Sequence, residues 1–112
     1  MHEITWNEFT QVELRVGTIE RVEAFPEARR PAYKLFIDFG ETLGKRKSSA
    51  QITDLYTPEE LVGKQILAVV NFPPKQIGPM KSECLVTGLY RDDNRVVLVS
   101  PDMPVPNGAK LG

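Results

Sequence analysis

Residues 32–70 read AYKLFIDFGETLGKRKSSAQITDLYTPEELVGKQILAVV. Tyr33, Leu35, Ile37 and Phe39 alternate with Lys34, Phe36 and Asp38, the period-two pattern of a half-buried strand over about Ala32 to Phe39. Gly40-Glu41-Thr42-Leu43-Gly44 reads as a turn. A further strand over about Arg46 to Ile52 follows, and its opening Lys45-Arg46-Lys47-Ser48-Ser49 is polar for a strand. Thr57-Pro58-Glu59-Glu60 then predicts a short helix. Thr57 is its N-cap, proline suits its first position, and Gly63 suits the stop. The apolar run Ile66-Leu67-Ala68-Val69-Val70 predicts a strand over Gln65 to Asn71.

Working outward, Thr5-Trp6-Asn7-Glu8 fits a capping box and predicts a short N-terminal helix, with Trp6 and Phe9 on one face. Leu14 to Ala24 reads as the first strand. The alternation of Leu14, Val16 and Thr18 breaks when Ile19 follows, which predicts a bulge near Gly17. Residues 71–82 hold Pro73, Pro74 and Pro79 and read as a loop. Glu83 to Tyr90 is a fifth strand, Asp92-Asp93-Asn94 a turn, and Val96 to Ser100 a sixth strand. The chain therefore reads as one domain over 1–112: a helix over about 1–12, a barrel over about 13–100, and a Pro- and Gly-rich tail over about 101–112. A mainly all-β chain whose helix falls between its third and fourth strands suits the five-stranded Greek-key barrel of the OB-fold. An SH3-like barrel and a β-sandwich are the alternatives at this point.

Composition removes several function classes. A chain of 112 residues buries roughly 65% of its unfolded surface and needs no disulfide or metal staple. One cysteine, Cys84, gives no internal disulfide and no thiolate cluster, and the one histidine, His2, sits at the terminus. A Ser–His or Cys–His catalytic pair is not expected. No apolar run approaches the roughly 18–20 residues of a membrane span. The opening MHEITWNEF does not read as a signal peptide, so a cytoplasmic setting is expected. No GxGxxG or GxxxxGK[ST] loop occurs. The adjacent acids Glu59/Glu60 and Asp92/Asp93 suit a helix start and a turn rather than a converging carboxylate site. Neither an enzyme nor a cofactor or metal site is expected, and Cys84 reads as a small buried hydrophobe.

Charge is distributed unevenly. Fourteen basic and fifteen acidic residues give a net −1, yet Arg29, Arg30, Lys34, Lys45, Arg46 and Lys47 face only Asp38, Glu41 and Asp54 within residues 28–58. Between Leu61 and Ser82 there are three lysines, 64, 75 and 81, and no acid. OB-folds bind oligonucleotides on the face of their second and third strands and on the flanking loops. The basic residues fall there: Arg29 and Arg30 in the loop 25–32, Lys34 outward on the second strand, Lys45 to Lys47 at the third, and Lys75 and Lys81 in the loop 71–82. Phe36, on the same outward face, is placed to stack on a base or, alternatively, to cover a second helix or a subunit partner. Each feature also has a plain structural reading. The arginines suit a solvated loop, Ser48 and Ser49 suit a sheet edge, and Asn71 suits the cap of a strand end.

Val69-Val70-Asn71-Phe72-Pro73-Pro74-Lys75-Gln76-Ile77-Gly78-Pro79-Met80-Lys81-Ser82-Glu83 closely resembles the signature of the CsaA proteins, a branch of the tRNA-binding domain family. That family also includes domains appended to methionyl- and tyrosyl-tRNA synthetases and the EMAP II domain. Leu14-Arg15-Val16-Gly17-Thr18-Ile19, Lys34-Leu35 through Asp38-Phe39-Gly40, Ser49-Ala50-Gln51-Ile52 and Pro104-Val105-Pro106-Asn107-Gly108 extend the resemblance along the chain. It implies an OB-fold that binds tRNA by shape and backbone without catalysis, and an export-related chaperone role toward unfolded proteins or peptides. It also implies a homodimer paired through its terminal extensions, where Trp6, Phe9, Met103 and Val105 supply apolar surface. The motif carries RNA contact over to Lys34, Asn71, Lys75 and Ser82, and less directly to Arg46 and Ser49. Arg29, Arg30 and Lys81 join them as phosphate contacts on charge. Two departures stand out. The segment before Lys34 is lengthened and made more basic by Arg29-Arg30-Pro31-Ala32-Tyr33, and Leu85 stands where the wider family tends to have methionine.

Overall fold

A computed structural model describes all residues, Met1–Gly112. In chain order the elements are α1 (Trp6–Thr10), β1 (Leu14–Ala24), β2 (Tyr33–Asp38), α2 (Gly40–Leu43), β3 (Lys45–Ala50) and α3 (Pro58–Leu61). There follow β4 (Gln65–Val69), β5 (Lys75–Ile77), β6 (Met80–Ser82), β7 (Leu85–Val86), β8 (Gly88–Tyr90) and β9 (Val96–Leu98). Five antiparallel strands pair in the order β3-β2-β1-β4-β7. The sheet curls until its ends nearly meet. The Glu83 N–H donates to the Lys47 carbonyl at 2.8 Å, and Ser48 Oγ donates to the Cys84 carbonyl at 2.8 Å. The result is a nearly closed OB-like barrel with α3 between β3 and β4.

The alternation in β2 fills this barrel. Leu35, Ile37 and Phe39 are buried to 1% exposure or less and pack with Ile19, Leu61, Ile66 and Ala68. Both N-cap readings hold. Thr5 and Thr57 each accept from the backbone N–H three residues on, and Glu8 and Glu60 reach back to the cap N–H. These helices of four or five residues have their first turns satisfied in this way, and α3 is anchored further by the buried Leu61.

The bulge lies elsewhere than predicted. Pairing of β1 with β4 runs without a break through Gly17, and the register of β1 against β2 shifts between Ile19 and Arg21. Gly17 faces the core: a Cβ there would meet Ile37 Cγ2 at 2.6 Å and Phe39 Cδ1 at 2.7 Å. Val16 is buried on the other side of the strand, where the tail runs beside it. Its N–H donates to the Ala109 carbonyl, and its own carbonyl accepts from Gly108. Consecutive burial of Val16 and Gly17 leaves no clean alternation, and that produced the apparent slip. The tail reaches this position because Gly40 (φ +90) and Gly108 (φ +89) pack against each other's neighbours. A Cβ on either would come within 2.8 Å of a backbone oxygen, that of Asn107 or Phe39.

Other boundaries also differ. The Gly40–Leu43 turn is one helical turn. The fifth strand divides into β7 and β8, and the predicted loop 71–82 contains the β5–β6 hairpin, turning at Gly78-Pro79. A period of two cannot be read from three-residue strands, so proline content decided that segment wrongly.

Candidate nucleic-acid interface

A second, smaller core assembles the basic loops. Phe25, Ala32 and Met80 are buried together, with Ala28 and Ile77 packed against them. This cluster joins the β1–β2 loop, which carries Arg29 and Arg30, to the β5–β6 hairpin, which carries Lys75 and Lys81. Lys34 completes the group, with its Nζ 4.9 Å from the centre of the Phe25 ring. Residues separated by some fifty positions thus share one module, held by apolar contacts that leave the charged groups in solvent. Arg29, Arg30, Lys75 and Lys81 are all exposed.

The two serines sit at the seam between this module and the barrel. Ser49 pairs across from Lys34 on β2, and its N–H donates to Ser82 Oγ at 3.1 Å. Ser82 and Ser48 are buried, and their hydroxyls are 3.4 Å apart. They fasten β6 to β3. Cys84, next along, is buried and free. Burial pushes its thiol up to about 11, so it stays protonated and unreactive at neutral pH.

Three predicted residues lie outside the module. Both ends of the Asn71 side chain are engaged: Oδ1 accepts from Glu13 N–H at 2.9 Å and Nδ2 donates to the Gln11 carbonyl at 2.7 Å. It clamps the segment after α1 to the end of β4. Arg46 donates to the Val70 carbonyl and lines a shallow depression with Phe36, Lys45 and Lys47. The Arg21 guanidinium lies 3.8 Å from the centre of the Phe36 ring, so one face of that ring is occupied.

Ion pairing separates the cations into two sets. Arg15, Arg21, Lys45, Arg91, Arg95 and Lys110 each have a carboxylate within 4.0 Å. Glu13 is drawn below the usual carboxylate range by its hydrogen bond with Arg15, aided by Lys110. Arg29, Arg30, Lys34, Arg46, Lys47, Lys64, Lys75 and Lys81 have no such partner. All six cations predicted as phosphate contacts belong to this second set. Like charges gathered without compensation repel one another and lower stability. An anionic partner removes that cost.

An open groove of about 1210 Å³ borders the module. Ser49 and Ser82 line it from the barrel, and Arg30 and Lys75 from the two loops. Two aromatic side chains that the sequence reading passed over, Phe72 and Tyr90, also line it, at 55% and 81% exposure. Phe72 sat inside the quoted signature, between Asn71 and two prolines. Tyr90 sat at a strand end assigned to the barrel, so its parity hid its exposure.

The family model described as "Putative tRNA binding domain" matches residues 14–110. The chain belongs to this family. The matched span runs from the first residue of β1 to the tail bridge at Lys110, so the module and the groove both fall inside it. Among solved structures, the chaperone CsaA from Bacillus anthracis str. Ames is 50% identical with a TM-score of 0.93, covering 99% of this chain and 100% of that one. The CsaA chaperone protein from Picrophilus torridus is also 50% identical, with a TM-score of 0.92 and coverage of 98% and 100%. The methionine–tRNA ligase of Methanococcus aeolicus is 35% identical over 105 residues, which are 94% of this chain and 15% of that protein. The chain thus spans about 15% of the length of the curated relatives it matches. No helix is long and apolar enough to cross a membrane.

Proposed function

We propose that this chain is a homodimeric tRNA-binding protein that recognises folded tRNA by shape and phosphate backbone and performs no chemistry on it. The observation that carries this reading is the gathering of Arg29, Arg30, Lys34, Lys75 and Lys81 on one module, none with an acidic partner. Family membership supports tRNA as the anion they meet. Shape recognition fits a module whose cations protrude from two loops, because A-form RNA presents phosphates and 2′-hydroxyls rather than readable base edges. Ser49 and Ser82 brace that module, Asn71 positions its leading end, and Arg46 adds to the field from the adjacent face.

The pairing of two copies rests on the termini. Trp6 and Met103 are 68% and 70% exposed, and the Trp6 and Phe9 rings lie tilted at 47° with centroids 5.7 Å apart. Val105 is held to the barrel by both groups of the Gln65 side chain, at 2.7 and 3.1 Å. Such apolar surface suits a two-fold interface. A dimer would present two basic modules to one RNA and raise avidity without new contacts. One domain of this kind, working in the cytoplasm, is the unit we envisage.

A second reading is favoured by the CsaA chaperone structures at 50% identity. In it, the chain holds unfolded or exported proteins through apolar surface. The two readings differ in their response to salt. The deciding experiment is binding of the purified chain to bulk tRNA across a salt series, with an unstructured RNA of equal length and an unfolded peptide as comparators. Steeply salt-dependent binding that favours tRNA is the expected result. Absence of tRNA binding at low salt, together with salt-insensitive peptide binding, would leave the chaperone reading alone.

A further inference from the structure

Arg30 and Lys75 take up only part of the groove beside the basic module. Its remaining wall carries two exposed aromatic rings, which a purely electrostatic interface does not need. We propose that this groove seats an unpaired nucleotide of a single-stranded RNA segment. Its base stacks on Tyr90 or Phe72, and the flanking phosphates meet Arg30 and Lys75. The proposal rests on the RNA-binding reading above and names the element of RNA that the site takes.

Three observations carry it. Tyr90 and Phe72 line the same groove as two cations that have no acidic partner. Cation and ring thus border one groove, the two kinds of group that a nucleotide's phosphate and base use. The groove, at about 1210 Å³, exceeds the roughly 300–1,000 Å³ of a drug-sized ligand pocket and leaves room for a nucleotide with its neighbours. Asp54 is the one acid of the lining, and it offers an acceptor to a base N–H. Phe36, the aromatic side chain that sequence pointed to, is the poorer platform because Arg21 already covers one face of it. An RNA duplex keeps its bases stacked on each other, so exposed rings gain nothing from it. A splayed base in a loop or at an end gains a platform.

The test uses an unstructured RNA hexamer carrying 2-aminopurine, a duplex of the same length, bulk tRNA and an unfolded peptide. These are bound to the whole chain and to its Tyr90→Ala, Phe72→Ala and double variants. At least one of the two single variants is expected to weaken hexamer binding about ten-fold. Quenching of 2-aminopurine fluorescence should disappear in the double variant, while the salt slope stays the same because no cation is lost. Duplex binding should not change, and Tyr90→Phe should keep full affinity because it keeps the ring. Tyr90 is exposed enough that its single variant folds even if the double variant does not. Unchanged hexamer affinity in Tyr90→Ala and Phe72→Ala, with tRNA still bound by the parent chain, overturns the groove proposal and spares the RNA-binding reading. Failure of the parent chain to bind any RNA at low salt overturns both. Loss of peptide binding in the variants, with RNA binding intact, makes the groove a protein seat and overturns the proposal.

Discussion

The molecule carries its cations in two regions that are compensated differently. Around the start of β1, the β8–β9 hairpin and the tail, each arginine or lysine lies against a carboxylate: Arg15 and Lys110 on Glu13, Arg91 and Arg95 on Asp93. Across the β1–β2 loop, the outer face of β2 and the β5–β6 hairpin, Arg29, Arg30, Lys34, Lys75 and Lys81 have none. Overall charge is nearly balanced, so the difference is one of placement. Paired surface charges contribute little to stability, about 0–1 kcal/mol per pair. Unpaired ones cost a little and leave a local field. The comparison teaches that pairing, not composition, separates the two regions: Glu23, opposite Lys34, pairs with Arg21 instead, and Glu27 in the β1–β2 loop pairs with none of these cations.

The contrast is broken most strongly by removing the unpaired set. Arg29→Ala, Arg30→Ala, Lys75→Ala and Lys81→Ala combined should lower tRNA affinity on the order of a hundred-fold at physiological salt and flatten the salt slope by up to about four. Thermal unfolding of this variant should be unchanged or slightly improved, because repulsion is relieved. A filter-binding salt series and a melting curve check both statements. The next largest effect should come from Met80→Ala, which alters no charge. Deleting a buried side chain from a three-residue core costs about 2–3 kcal/mol and unfastens the loops that aim the cations. Stability in urea and tRNA affinity should therefore fall together.

Asn71→Ala sharpens the line between positioning and contact. It removes two hydrogen bonds to backbone groups, Glu13 N–H and the Gln11 carbonyl, worth about 1–2 kcal/mol together. The salt slope should keep its parent value; a shallower one would show Asn71 acting on the RNA itself. The smallest effect is expected from the compensated region. Arg91→Ala with Arg95→Ala should change stability by less than about 0.5 kcal/mol and leave tRNA affinity within about two-fold.

Much of this architecture was legible in the chain. The alternation Tyr33-Leu35-Ile37-Phe39, the two capping boxes and the position of the second helix pointed to the barrel, because each is a local pattern with its own physical cause. The signature at 69–83 pointed to the family. What was hidden depended on long-range contacts. Gly17 read as a bulge because only the fold shows Ile37 and Phe39 against it and the tail beside Val16. The β5–β6 hairpin was lost among prolines, and with it the small core of Phe25, Ala32 and Met80. Ion pairing was partly local, since Arg15–Glu13, Arg21–Glu23, Arg91–Asp93 and Arg95–Asp93 join residues two apart; the pairs Lys45–Glu20 and Lys110–Glu13, and the lack of a partner for Lys75 and Lys81, depend on the fold. The contact of Arg21 with the Phe36 ring was hidden too, since that guanidinium comes from another strand.

The most direct test of the two-region account compares matched pairs of cations in one experiment: the salt slope of tRNA binding for the parent chain, for Lys75→Ala with Lys81→Ala, and for Arg91→Ala with Arg95→Ala. The account predicts a slope shallower by about two for the first pair and an unchanged slope for the second. Equal flattening by both pairs, or by neither, would contradict it.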